Sequence, residues 1–122
     1  PLKTIYYKYI IRTDPYSIKS VKNLLKKYLP RVNIIQGNSN EVLKKINLNE
    51  IDYVFLDGGH KYETVRNDLI NLSKIVSNKG IILCDDYNLT YAPGIKQAID
   101  EFVIQNNFKL KILNSRFAEI TK

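Results

Sequence analysis

Two apolar runs of this chain end in carboxylates. "IDYVFLD" (51–57) stops at Asp57 and leads through Gly58 and Gly59 to His60, the sole histidine, while "IILC" (81–84) is followed by Asp85, Asp86 and Asn88. Adjacent carboxylates at the end of a buried strand repel one another, so the pair needs a compensating cation or hydrogen-bond donor. With Asp57 one strand away, three acidic side chains can converge on a hard divalent ion such as Mg²⁺. Polar residues follow the earlier apolar runs too. Asp14 comes after "TIYYKYII" (4–11), and Gly37, Asn38 and Ser39 come after "VNII" (32–35). Singly, each has a plainer reading: Asp14 and Ser39 suit helix caps, Gly37 suits a turn, and a lone histidine is usually structural or solvated. Four successive strand ends with such residues are harder to attribute to chance.

The elements that must position them alternate. After the strand 4–11, Ile18, Val21, Leu24, Leu25 and Tyr28 recur at helical spacing. Asp14 is placed to cap that helix, with Pro15 at its first position and Pro30 stopping it. Strand 32–35 precedes a short helix carrying Val42, Leu43 and Ile46. The continuous apolar run 51–57 is expected of a strand covered on both faces. Tyr62, Val65, Leu69, Leu72 and Val76 mark a long helix, which "SNKG" closes with Gly80. Ile95, Ala98, Ile99, Phe102 and Val103 give an amphipathic helix after "APG". "FKLKIL" (108–113) and "FAEI" (117–120), separated by "NSR", should form an antiparallel hairpin. The pattern predicts one α/β domain over residues 1–122. It would be a Rossmann-like, mostly parallel sheet with helices on both faces and a C-terminal antiparallel hairpin. Ligands of such sheets bind beyond the carboxyl ends of the strands, where the polar residues fall.

Composition narrows the classes. The 122 residues suit one core, and 44% hydrophobic with 25% charged residues is globular rather than disordered. No run approaches the roughly eighteen apolar residues of a membrane span, and no secretory signal is read at the start, so a soluble cytoplasmic protein is expected. Cys84 stands alone, which excludes an internal disulfide and two-cysteine metal spacings. The net charge of +7 admits a phosphate-bearing partner. Most of the excess is Lys, though, and Lys, Asn, Ile and Tyr share A/T-rich codons.

With those residues in hand, the chain resembles class I S-adenosylmethionine-dependent methyltransferases, specifically small-molecule O-methyltransferases of the macrocin and catechol type. The matching stretches are "TDPYS" (13–17), "IIQGNSNEVLKKI" (34–46), "IDYVFLDGGHKYETVRNDL" (51–69), "GIILCDDYN" (80–88) and "PGIKQAIDEF" (93–102). The resemblance implies that Asp14 hydrogen-bonds the cofactor ribose. It implies that Gly37, Asn38 and Ser39 lie against the adenine, with Asn38 replacing the usual Asp. Asp57, Asp85 and Asp86 match the family's divalent-metal ligands, and Asp57 also neighbours the methionine part of the cofactor. His60 matches the histidine of the D-G-x-H stretch and is a candidate general base. The implied cofactors are S-adenosylmethionine and a divalent metal, Mg²⁺ above all. The implied acceptor is a small hydroxylated molecule, with Tyr87 and Tyr91 as candidate pocket residues.

The family's first strand and its G-x-G turn find no counterpart in these residues. The sequence is thus expected to be part of a longer chain, to take a strand from another copy or a partner chain, or to close up into a shortened sheet. A rival reading is a catalytically incomplete remnant that serves as an interaction or assembly module. A nucleic-acid methyltransferase is a third. No N/D-P-P-Y-type motif is present and no aromatics interleave with the lysines of 17–27, which argues against nucleic acid.

Overall fold

The computed structural model describes residues 17–122, so Asp14 and the expected strand 4–11 lie outside the described residues. The chain divides into two units, Pro1–Gln36 and Gly37–Lys122.

In the first unit, helix α1 covers Ile18–Leu24. Its cap is Ser17, not Asp14: the Ser17 Oγ accepts the Ser20 N–H at 3.1 Å, satisfying a donor that an α-helix leaves orphaned at its start. The expected single helix to Tyr28 ends at Leu24, and a 3₁₀ helix follows over Lys26–Arg31, with Pro30 inside it rather than stopping it. Pro30 has no N–H for a continuing α-helical ladder, and the tighter turn avoids the need. Val32 is extended (φ −122°, ψ 125°), yet residues 32–36 form no ladder among the described residues, and the expected strand 32–35 is not seen as one. An apolar run supplies the side chains of a strand but not its partner.

The second unit begins with helix α2, Ser39–Lys45, and continues through β1 (Ile51–Leu56), α3 (Tyr62–Ile75), β2 (Val76–Cys84), α4 (Pro93–Asn106), β3 (Lys109–Leu113) and β4 (Phe117–Thr121). The sheet order is β1-β2-β4-β3. β1 runs parallel to β2, from Tyr53 opposite Ile81 to Leu56 opposite Cys84. β2 pairs antiparallel with β4, and β4 with β3. The C-terminal hairpin is therefore as expected, and its turn residues Asn114 and Ser115 both have positive φ.

The core lies on one face of this sheet. Ile82 pairs with Ile120 and Cys84 with Ala118, and all four are at most 1% exposed. Val65, Leu69 and Leu72 of α3, and Ile95, Ala98, Ile99, Phe102 and Val103 of α4, pack onto them as the helical spacing predicted. Asn107, with φ 56°, ends α4, and the Phe108 N–H reaches back to the Val103 carbonyl. The opposite face of β1 carries Tyr53 and Phe55, which are 56% and 50% exposed, where cover on both sides was expected.

α3 also ends differently from the sequence reading. It stops at Ile75, and Val76 pairs with Ile51 as the first residue of β2. "SNKG" is not a helix-closing turn. It is a bulge inside β2, because the register jumps from Ile51 opposite Val76 to Tyr53 opposite Ile81.

Candidate functional site

β1 and β2 finish level, so the residues after Leu56 and Cys84 emerge side by side. The Asp85 N–H donates to the Leu56 carbonyl at 3.0 Å and extends the parallel ladder one step beyond the strands. Asp86 then turns the chain with φ 59°, a left-handed conformation that Asp tolerates better than most residues. Its N–H donates to Asp85 Oδ1 at 2.7 Å. One carboxylate oxygen each from Asp57, Asp85 and Asp86 lies within 4.8 Å of the others. The spacing read from sequence has become a cluster.

Two cationic or potentially cationic groups meet it. Arg116 donates from Nε to Asp85 Oδ1 at 2.6 Å and from Nη2 to Asp85 Oδ2 at 2.7 Å, a two-pronged ion pair, and its Nη2 stands 4.0 Å from Asp86 Oδ1. His60 Nε2 is 3.2 Å from Asp86 Oδ2. Those contacts supply the compensation that adjacent carboxylates demand. The Arg116 guanidinium holds the Asp85 carboxyl below the usual carboxylate range, aided by the Asp86 N–H. Arg116 was missed in the sequence, where "NSR" read only as a hairpin loop. The turn that places it is tied to the loop after β2 by the Tyr87 N–H to the Arg116 carbonyl at 2.9 Å and by Asn88 Nδ2 to the Ser115 carbonyl at 2.7 Å.

A hollow open to solvent runs beside this cluster. It is lined by Asp57, Gly58, Gly59, His60 and Asp86 at its mouth, with Asp68 and Cys84 among its walls. Its enclosed part has room for an ion or a water, not for a nucleoside. Cys84 is no nucleophile there, since burial pushes its thiol up to about 12.

Asp68 is the second residue that the sequence reading missed. It is 1% exposed on the buried face of α3, its Oδ2 accepts the Ser39 O–H at 3.1 Å, and its Oδ1 has no partner among the described residues. Burial pushes its carboxyl up from the ordinary value, and the Ser39 hydroxyl only partly opposes this. The signal was available: Asp68 stands three residues after Val65 and four before Leu72, on the apolar stripe. A carboxyl raised in the fold favours folding while protonated. Its contribution is full below the unfolded value and is lost as pH rises through the folded one. Urea midpoints measured upward from about pH 4, the ordinary carboxyl range, should therefore show a downward slope that Asp68→Asn removes. An unchanged slope would place the titrating group elsewhere.

Of the other expected site residues, Ser39 meets the hollow through Asp68 and does not cap α2. Asn38 is that cap, with Oδ1 accepting the Asn40 N–H at 2.9 Å. A Cβ at Gly37 would stand 2.8 Å from Val42 Cγ2, so the turn into α2 needs a glycine or a shift of that methyl. Tyr87 lies against α4. Its side chain is buried, its O–H donates to Asp100 at 2.6 Å, and Lys96 Nζ donates to its oxygen at 2.7 Å. Tyr91 is 78% exposed.

Known proteins share this arrangement of elements. The chain overlays the O-methyltransferase NovP with a TM-score of 0.71 at 22% identity, covering 87% of this chain and 45% of that one. It overlays CalS11, described as a TDP-rhamnose 3′-O-methyltransferase of calicheamicin biosynthesis, with a TM-score of 0.65 at 16% identity, covering 84% and 50%. At such identities the likeness shows the fold, a methyltransferase-type α/β domain. In sequence, an uncharacterized protein, R132, of Acanthamoeba polyphaga mimivirus is 30% identical over 109 residues, covering 79% of this chain and 49% of that protein. The chain thus spans about half the length of each of these relatives. No described helix is long and apolar enough to cross a membrane. A family model described as a methyltransferase domain matches residues 6–87, a stretch that takes in Asp57, His60, Asp85 and Asp86 together, and the chain belongs to that methyltransferase family.

Proposed function

We propose that the protein of which these residues form the described part transfers a methyl group from S-adenosylmethionine to the hydroxyl of a small acceptor, assisted by a divalent metal. The observation that carries this reading is the meeting of Asp57, His60, Asp85 and Asp86 at the carboxyl ends of two adjacent parallel strands. The two structural neighbours, both named as O-methyltransferases, support the same reaction class.

Asp57, Asp85 and Asp86 are the residues that would hold the ion, and three carboxylate oxygens suit a hard cation such as Mg²⁺. Bound there, such an ion lowers the pKa of an acceptor hydroxyl. S-adenosylmethionine supplies an activated methyl on a sulfonium centre. The chain's own part is positioning and proton transfer. His60 can donate Nε2–H to Asp86, which leaves the Nδ1 lone pair free to take a hydroxyl proton. Its side chain is 50% exposed, as a base facing an incoming acceptor must be. The enclosed hollow is ion-sized, so the bulk of the cofactor would lie outside it, toward the turn of Gly37, Asn38 and Ser39. No described strand pairs with the outer edge of β1. That edge is where a further strand, from the same protein or from a partner chain, would extend the sheet.

Titration calorimetry of S-adenosylmethionine into the chain, with and without Mg²⁺, tests the reading. Micromolar binding weakened at least roughly tenfold by Asp57→Ala is the expected result. A folded sample that takes up no cofactor at millimolar concentration would count against these residues forming a working site.

A further inference from the structure

We infer that Arg116 is a resident counter-cation of the acidic cluster, which competes with a divalent metal for the Asp85 carboxylate. The inference rests on the reading that Asp57, Asp85 and Asp86 can hold such an ion.

Three of the roughly four lone-pair sites of the Asp85 carboxylate are occupied. Nε and Nη2 of Arg116 hold one on each oxygen at 2.6 and 2.7 Å, and a third Asp85 contact comes from the Asp86 N–H at 2.7 Å. A metal ligand needs a lone pair directed at the ion, and the planar fork of the guanidinium occupies one on each Asp85 oxygen. Asp85 is also the most enclosed of the three. Its side chain is 7% exposed against 24% for Asp86, and Asp57 is exposed. It is therefore the carboxylate that would lose most by standing uncompensated.

Arg116 is not a wandering surface residue that happens to touch an acid. Its backbone is fixed at the hairpin end by the Arg116 N–H to the Leu113 carbonyl at 3.1 Å and by its own carbonyl accepting the Tyr87 N–H. Its side chain crosses the ring of Phe117, with the guanidinium carbon 5.1 Å from the ring centre. The Arg116 side chain remains 58% exposed, so it can leave Asp85 without breaking the hairpin. The fold thus delivers a cation to the same oxygens that a metal would take. With Arg116 in place, Asp85 is the most heavily engaged of the three carboxylates. With it displaced, all three carboxylates are available.

Metal binding without cofactor or acceptor tests this, using Mn²⁺ read by electron paramagnetic resonance. Arg116→Gln should tighten Mn²⁺ binding at least roughly tenfold by removing a competing charge within a few ångströms. Arg116→Lys, which keeps the charge but not the fork, should fall between, and the double variant Arg116→Gln, Asp85→Asn should lose the gain. Circular dichroism establishes that each variant is folded. In the unsubstituted chain, the Arg116 Nε–H resonance should shift as Mg²⁺ is added, which keeps the question decidable if Arg116→Gln does not fold. Unchanged or weaker Mn²⁺ binding by folded Arg116→Gln, or an Nε–H signal indifferent to saturating Mg²⁺, overturns the inference. Because no cofactor is present, failure here is separate from failure of S-adenosylmethionine to bind.

Discussion

Leu69→Ala is expected to destabilise the domain by about 3 kcal/mol, the middle of the range for emptying a leucine-sized site in a packed core. Leu69 is fully buried at the centre of α3, in the cluster that joins Ile82 and Ile120 of the sheet to Ile99 of α4. The surroundings are three rigid elements rather than a mobile loop, so the cavity has little means of collapsing. Folded domains of this size have only about 5–15 kcal/mol in reserve. The variant should lose on the order of 15 °C in melting temperature. Urea unfolding should show the midpoint falling while the slope stays constant. A loss below about 1 kcal/mol would mean that α3 does not pack on this face of the sheet.

Gly80→Ala should cost about 2 kcal/mol, and its effect should be local to β1. A Cβ there would sit 2.7 Å from the Ile51 carbonyl oxygen and 2.6 Å from Val76 Cγ2. The methyl group could rotate away, but the carbonyl belongs to the neighbouring strand and can yield only if β1 moves off β2. No positive φ is involved, so the need for glycine is steric. Amide hydrogen exchange should accelerate across residues 53–56 while α4, β3 and β4 keep their protection. Because Asp57 follows β1 directly, its oxygen should drift from Asp85, and any metal affinity should fall with it. Uniform acceleration across the whole sheet would show instead that the bulge governs global stability.

The parts of this fold legible in the sequence were those with a period. All five residues assigned to the buried side of α4 are buried, and so are Val65, Leu69 and Leu72 of α3. The hairpin was legible because two β-type runs stood a few residues apart. The acidic cluster was legible because the ends of parallel strands converge on one edge of their sheet, which brings Asp57 to Asp85 and Asp86 across almost thirty residues of chain. What failed were the features set by partners rather than by pattern. Ser17 and Asp14 are both good caps, and only the helix start chooses between them. Residues 32–35 have strand composition without a ladder among the described residues. Arg116 sat in a loop of three, and nothing local reveals that the antiparallel register of β4 on β2 lays it beside Asp85. Asp68 differs, because a carboxylate on an apolar stripe is visible in sequence with no knowledge of its partners.

The outer side of β1 sets how copies of this molecule behave toward one another. It combines an edge without a described partner and two half-exposed aromatic rings, Tyr53 and Phe55, the ingredients of strand-to-strand adhesion between molecules. The opposing influence is the charge of +7, which holds like molecules apart over a Debye length of about 10 Å at 0.1 M salt and about 3 Å at 1 M. Where no further strand covers that edge, adhesion along it is opposed by a soft repulsive shell of charge. Light scattering of the chain should therefore rise as salt is raised from about 0.1 M to about 1 M.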